Sequence, residues 1–344
     1  MTSGTSGSVP AWGPAPRDPL VRLVRRAPGS LRRTMHVDVG ARTSWGAALP
    51  MSGGARDIRT GADAAGVEVL AEASLTAGFD PGRALVSLTT TPRARWTADL
   101  IGARAGGGFR KRLDDVMPPD TAGSLLRMVL DDLPAAALIS GYAWMRLARR
   151  EGHDPGSLMP VDVADRMAGL CSGWRGEGMA LASVEAGSGV PLQDCPPAPG
   201  LTDDDPDGWH PLEPLPPDWM RRRRCIDVAL DDPSDPAGGF SVWAMFRDTV
   251  GEPDGGEAVL HEYEVELEGS GGTVERIRAV PHVLPFPECP GAAGAVEAMG
   301  GRRLAEFPAS VPEVLTGIAS CTHLNDLLRA LGGAAALIDL ASGR

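Results

Sequence analysis

The chain has 344 residues, 43% hydrophobic and 23% charged, with a formal charge of −12, so it can bury a sizeable core as one large domain or two ordinary ones. That acidic balance argues against a general nucleic-acid binder, which needs clustered Lys and Arg to neutralise phosphates, and no apolar run is long enough to span a bilayer. Five cysteines at irregular spacing in a chain of this size do not read as a disulfide framework, so a cytoplasmic setting is expected.

Residues 1–30 read as a disordered tail, rich in Gly, Ser and Pro as far as Pro19. Arg22, Arg25, Arg26, Arg32 and Arg33 form a basic stretch, read as a solvated arm that could dock on an acidic surface. Residues 31–186 are expected to form an N-terminal α+β lobe. In it Val67 to Ala77 and Ala84 to Thr90 make a hairpin around Gly78, Asp80, Pro81 and Gly82. Helical spacing follows from Thr121 to Leu147, with breaks expected at Pro134 and Gly141. Gly102 to Gly108 lacks the ending of a phosphate-binding loop and reads as a turn. Asp114-Asp115 and Asp131-Asp132 read as solvated pairs. His36, His153, His210 and His282 have no ligand-like neighbours in the sequence.

Residues 187–220, dominated by Pro, Asp and Gly, read as a linker or long surface loop. Residues 221–344 form the C-terminal lobe, with strands over Gly239 to Phe246, Val259 to Leu267 and Val274 to Val280 and helices from Pro290 onward. The two halves run in parallel. Arg33 to Val39 faces Arg224 to Val228, Ala55-Arg-Asp57 faces Phe246-Arg-Asp248, and Ala135 to Ile139 faces Ala334 to Ile338. The fold class expected is therefore α+β: two lobes, related by duplication or alike only through an Ala-rich composition, each a small antiparallel sheet followed by packed helices, the strands joining one sheet or packing as two.

The chemistry-bearing residues gather late. Cys289 precedes Pro290, and Cys321 precedes Thr322-His323-Leu324; both read as helix starts, where the dipole and free N–H groups favour a thiolate. His323 is two residues from Cys321, and His261 lies on a strand expected to neighbour the one leading to Cys289. Cys289, Cys321, His323 and His261 are thus the candidate metal ligands. Ala122 and Ser124 stand at the corresponding places in the first half.

Phe246-Arg-Asp248, His261-Glu-Tyr263, Leu284-Pro-Phe-Pro-Glu-Cys289 and Cys321-Thr-His-Leu-Asn-Asp-Leu-Leu328 carry a family resemblance. The segment from about Arg221 to Leu340 resembles the family catalogued as domain of unknown function 2889 (DUF2889), which implies no established activity. In arrangement, Val274 to Phe307 followed by Cys321 is similar to the iron-sulfur scaffold proteins of the NifU N-terminal type. That resemblance implies metal ligation by the two matching cysteines. The scaffold's third cysteine has no counterpart between Gly255 and Leu260, with His261 as the substitute, so a mixed Cys/His site suits zinc better than a labile iron-sulfur cluster. Two other readings stand beside a zinc-binding protein. One is a thiol enzyme in which Cys289 or Cys321 attacks an acyl-type substrate with His261 or His323 as base. The other is a non-catalytic module that binds a small molecule or a protein partner.

Overall fold

Successive side chains of a β-strand point to opposite faces, so a run such as Arg221-Arg222-Arg223-Arg224 sends two guanidinium groups each way. In the computed structural model, which describes residues 13–41, 47–64, 66–121, 123–154, 162–235 and 237–343, this run lies in a central strand, and all four arginines have carboxylate partners.

Eight strands form one antiparallel sheet: β1 (Leu31–Val39), β2 (Leu49–Thr60), β3 (Val67–Phe79), β4 (Leu85–Thr91), β5 (Met220–Leu230), β6 (Gly239–Gly251), β7 (Glu257–Ser270) and β8 (Thr273–Val283). Their order is β4-β3-β2-β1-β5-β6-β7-β8. Each half of the chain thus contributes a four-stranded meander, and β1 pairs with β5 along its whole length, from Leu31 opposite Val228 to Val39 opposite Met220. The sheet runs without interruption between the halves, which fulfils the one-sheet alternative.

One face carries the helices. The longest, α2 (Leu125–Arg150), lies on β1, β2, β3 and β5, after the short α1 (Phe109–Val116). α3 (Val163–Met167) and α4 (Met179–Glu185) follow; α5 (Phe307–Val314), α6 (Thr322–Ala330) and α7 (Ala334–Ala341) close the chain. Leu31, Met35, Val37, Ile226 and Val228 point to this face and join Val129, Leu133, Leu327 and Leu337 in the main core.

Over the central strands the opposite face is covered by irregular chain rather than helices. Leu23, Leu201 and Trp209 bury Cys225, Trp243 and Met245, and Leu23 N donates to Leu201 O. The described part of the expected tail therefore lies against the sheet, and the expected linker carries buried Leu201, Trp209, His210 and Leu215. Proline-rich chain without regular structure can still cover a sheet if it delivers a few large apolar side chains.

Four local expectations are corrected. α2 runs unbroken through Pro134 and Gly141. Proline removes one helical hydrogen bond, but the flanking Leu130, Leu133, Ala136 and Ala137 are fully buried, and that burial outweighs the loss. The segment after Pro290 forms two 3₁₀ turns, Cys289–Ala292 and Gly294–Met299, rather than a helix. Asp132 is not solvated but 3% exposed against Arg224, while Asp131 pairs with Arg110. Of the basic stretch, Arg32 and Arg33 are buried against Asp227 and Asp57; Arg22 stays exposed. No helix among the described residues is long and apolar enough to cross a membrane.

Candidate metal centre

Register across three adjacent strands builds the site. Arg222 of β5 lies opposite Asp248 of β6, and Asp248 lies opposite His261 of β7, all on the helix-covered face. Arg222 donates to both oxygens of Asp248, Nε to Oδ1 at 2.7 Å and Nη2 to Oδ2 at 2.9 Å. His261 Nδ1 stands 3.4 Å from Asp248 Oδ2 and is buried without a hydrogen bond.

The third element arrives from above. Cys321 caps α6, as its sequence position implies, and places His323 in the first turn. The His323 ring stacks on His261 with centroids 4.0 Å apart and on Phe246 at 6.0 Å. Its Nδ1 is 3.8 Å from Cys321 Sγ, while its Nε2 is enclosed and has no partner. One donor atom from each of Asp248, His261 and His323 lies within 4.8 Å of the other two. No other such group of three or more occurs among the described residues.

Burial and charge set the protonation of these groups. Desolvation would raise the Asp248 carboxyl, but Arg222 first, and then His261, overcome it and hold the group well below the usual carboxylate range. Burial, reinforced by His261, keeps His323 well below its ordinary value, so its imidazole is neutral with a free lone pair. Arg222 also meets Asp326 of α6 at 3.4 Å and Asp132 of α2 at 3.9 Å. One guanidinium thus ties the sheet to two helices behind the cluster. Tyr142 of α2 adds its ring 5.9 Å from that of His261.

The thiols behave differently from the expectation. Burial, with Cys171 close by, pushes Cys321 up to about 11; burial and the neighbouring Cys321 push Cys289 well above the usual thiol range. The helix-start effect is outweighed because both sulfurs are shut off from water. Cys289 faces Gly173, where even a methyl group would come within 2.8 Å of Sγ. Of the four residues expected from the sequence, the structure places His261 and His323 in the donor cluster and Cys321 beside it. Cys289 lies outside the cluster. Cys171 is near enough to Cys289 and Cys321 to disfavour their ionisation. Ala122 lies outside the described residues, and Ser124 caps α2 by accepting from Arg127 N.

Asp248 was the residue not read as a ligand. A signal existed: aspartate is unfavourable inside a strand, and Phe246-Arg-Asp248 stands out on that ground alone. Residues 220–337 match the family model described as "Protein of unknown function (DUF2889)". The DUF2889 segment supplies all three donors together with Arg222, Cys289, Cys321 and Asp326; Asp132, Tyr142 and Cys171 come from outside it. No curated protein and no solved structure matches the chain.

Proposed function

We propose that the protein holds a zinc ion through Asp248, His261 and His323. The observation that carries this reading is the convergence of two enclosed, unpartnered imidazole nitrogens on one ionised carboxylate. A buried polar atom left without a partner is costly, and a cation would satisfy both nitrogens at once. Tetrahedral zinc with bonds of about 2.0–2.1 Å sets its donors about 3.3 Å apart; His261 Nδ1 and Asp248 Oδ2 are 3.4 Å apart already. Arg222 and the Cys321 sulfur would then act as the outer contacts that orient a carboxylate and an imidazole. Asp248 is 0% and His261 3% exposed and His323 Nε2 is enclosed, while three protein donors leave the fourth tetrahedral position of zinc to a water or another small ligand.

The first half of the chain supports a related origin without the donors. One constant step along the sequence carries Arg32, Arg33 and Asp38 to Arg221, Arg222 and Asp227. Arg33–Asp57 repeats the Arg222–Asp248 pair, and Arg32–Asp227 answers Arg221–Asp38 across the seam. The register slips after Asp57 and after Asp248 alike. Opposite Asp57, however, stands Ala71, where Asp248 faces His261. We read the first half as a duplicate that keeps the Arg–Asp frame and has no imidazole there.

A thiol enzyme draws less support, since burial disfavours both thiolates. Elemental analysis of protein purified under reducing conditions separates the readings. About one zinc per chain, lost in His261→Ala and in Asp248→Ala, supports the proposal. Metal that survives both variants but is lost in a Cys289→Ser, Cys321→Ser double variant moves the site to the thiols, and metal-free wild-type protein rejects it.

A further inference from the structure

The sheet face opposite the helices holds a second histidine pair, unrelated to the metal reading. Alternation along β1 turns Thr34 and His36 to this face. His210 reaches them from the loop after the Pro206–Gly208 turn. Thr34 Oγ1 and His210 Nδ1 are 2.8 Å apart, and His210 Nε2 and His36 Nδ1 are 2.6 Å apart. Three groups therefore form one hydrogen-bonded chain running from a buried hydroxyl to His36. Both ring nitrogens of His210 are used; His36 keeps only Nε2 for another partner.

Both histidines stand in the wall of a groove of about 510 Å³ laid over β1 to β4. Irregular chain covers β1 and β5 on this face, so the uncovered strands form a ledge beside a wall. Its floor carries the side chains of Ser52, Ser74, Thr76 and Thr89 in the outward positions, with Glu72 as the only charged residue among the described residues of the lining. At Gly54 a Cβ would come within 3.0 Å of His36 Cε1, so glycine leaves the imidazole unobstructed. Among the described residues no Lys or Arg lines the groove, which leaves those residues without the usual means of holding a phosphate or carboxylate. Rows of hydroxyls facing an imidazole offer donors and acceptors at short, regular intervals.

We propose that this groove binds an uncharged, polyhydroxylated small molecule of about one or two saccharide units, with His36 Nε2 as its directed contact and the hydroxyl ledge as its floor. The volume falls in the range of about 300–1,000 Å³ typical of small-ligand sites. The hydrogen-bonded chain fixes the orientation of the half-buried His36.

The full chain, labelled at its histidine side chains, is titrated by NMR with methyl glucoside, sucrose and myo-inositol, and separately with glucose 6-phosphate. The expected result is a saturable shift of the His36 resonance with at least one uncharged probe below about 10 mM, ten times a constant of about 1 mM. That response should fall at least several-fold in a Ser74→Ala, Thr76→Val variant, whose changes lie on the exposed ledge and leave the histidine chain intact. No saturable shift with any uncharged probe overturns the proposal. So does a stronger response to the phosphate, or a response unchanged in the ledge variant.

Discussion

Arg222 grips both oxygens of Asp248, at 2.7 and 2.9 Å, and His261 Nδ1 faces one of them, Oδ2, at 3.4 Å. A single strand-to-strand pair therefore serves two purposes: it neutralises a buried cation and aims a carboxylate at two imidazoles. The first half repeats the pair as Arg33 and Asp57, at 2.8 Å for both contacts.

Asp248→Asn should be among the costlier single changes in the chain. Removing one partner of a buried ion pair costs about 3–5 kcal/mol, and the low end is expected because Asp326 and Asp132 still neighbour Arg222. Urea denaturation checks this. Glu268→Gln, which breaks the exposed pair with Arg276, should leave the midpoint where it was.

The seam between the halves gives a sharper test. Arg32 is fully buried, and it donates to Asp227 at 2.6 and 2.7 Å across β1 and β5. Burial raises the Asp227 carboxyl even beside this partner, which shows how much desolvation the pair bears. Asp227→Ala alone should cost about 3–5 kcal/mol. The Arg32→Met, Asp227→Leu double change should cost clearly less than the sum of its single changes. A double-mutant cycle with no coupling would contradict the reading of Arg32 and Asp227 as one unit.

Acid should weaken the fold through His36 and His210. Burial, with Arg221 among the charges that reinforce it, lowers each to about 3 from 6.5. The unfolded chain takes up these protons first as pH falls. The stabilisation is therefore complete above about pH 6.5 and is lost progressively as pH drops toward 3, by up to about 1.4 kcal/mol per unit for each group. His36→Gln should flatten that slope in thermal melts between pH 6.5 and 4.5, even where it lowers stability at pH 7.

Thiol labelling reads the burial directly. Cys225, fully buried and raised well above its usual range, should resist iodoacetamide at neutral pH, as should Cys289 and Cys321. Half-buried Cys195 should be modified first. Peptide mass spectrometry gives the order, and rapid stoichiometric labelling of Cys321 would revive the thiol-enzyme reading.

If zinc is held as proposed, chelation should lower the melting temperature of the wild type and leave that of His261→Ala unmoved. Cys321→Ser should keep the metal but weaken it about 10–100-fold, the usual effect of losing an outer contact. Competition with a colorimetric chelator measures the difference.

Much of the sheet was legible because β-branched runs and turn residues announce strands: the hairpin expected from Val67 to Thr90 is β3 and β4, and the three late strands are β6, β7 and β8. The sequence also located the two imidazoles that meet. It did not show β1, β2 or β5 as strands; in β1 and β5, Arg32-Arg33 and Arg221 to Arg224 look like solvated charge in one dimension. Nor did local pattern show that Pro134 would sit inside a helix, that the Asp131-Asp132 pair would be split between two arginines, or that His36 and His210 would bond to each other.

What the amino-acid sequence determined by itself is what depends on neighbours along the chain: the mixed α+β class, the turn positions, the helix cap at Cys321 and the DUF2889 likeness of its last third. Tertiary structure alone decided the partners. An arginine's destination depends on which carboxylate lies opposite it in a distant strand, and whether a thiol ionises depends on the water it loses when the helices close over the sheet. Both are set by register and burial, and neither is written in any short stretch of sequence.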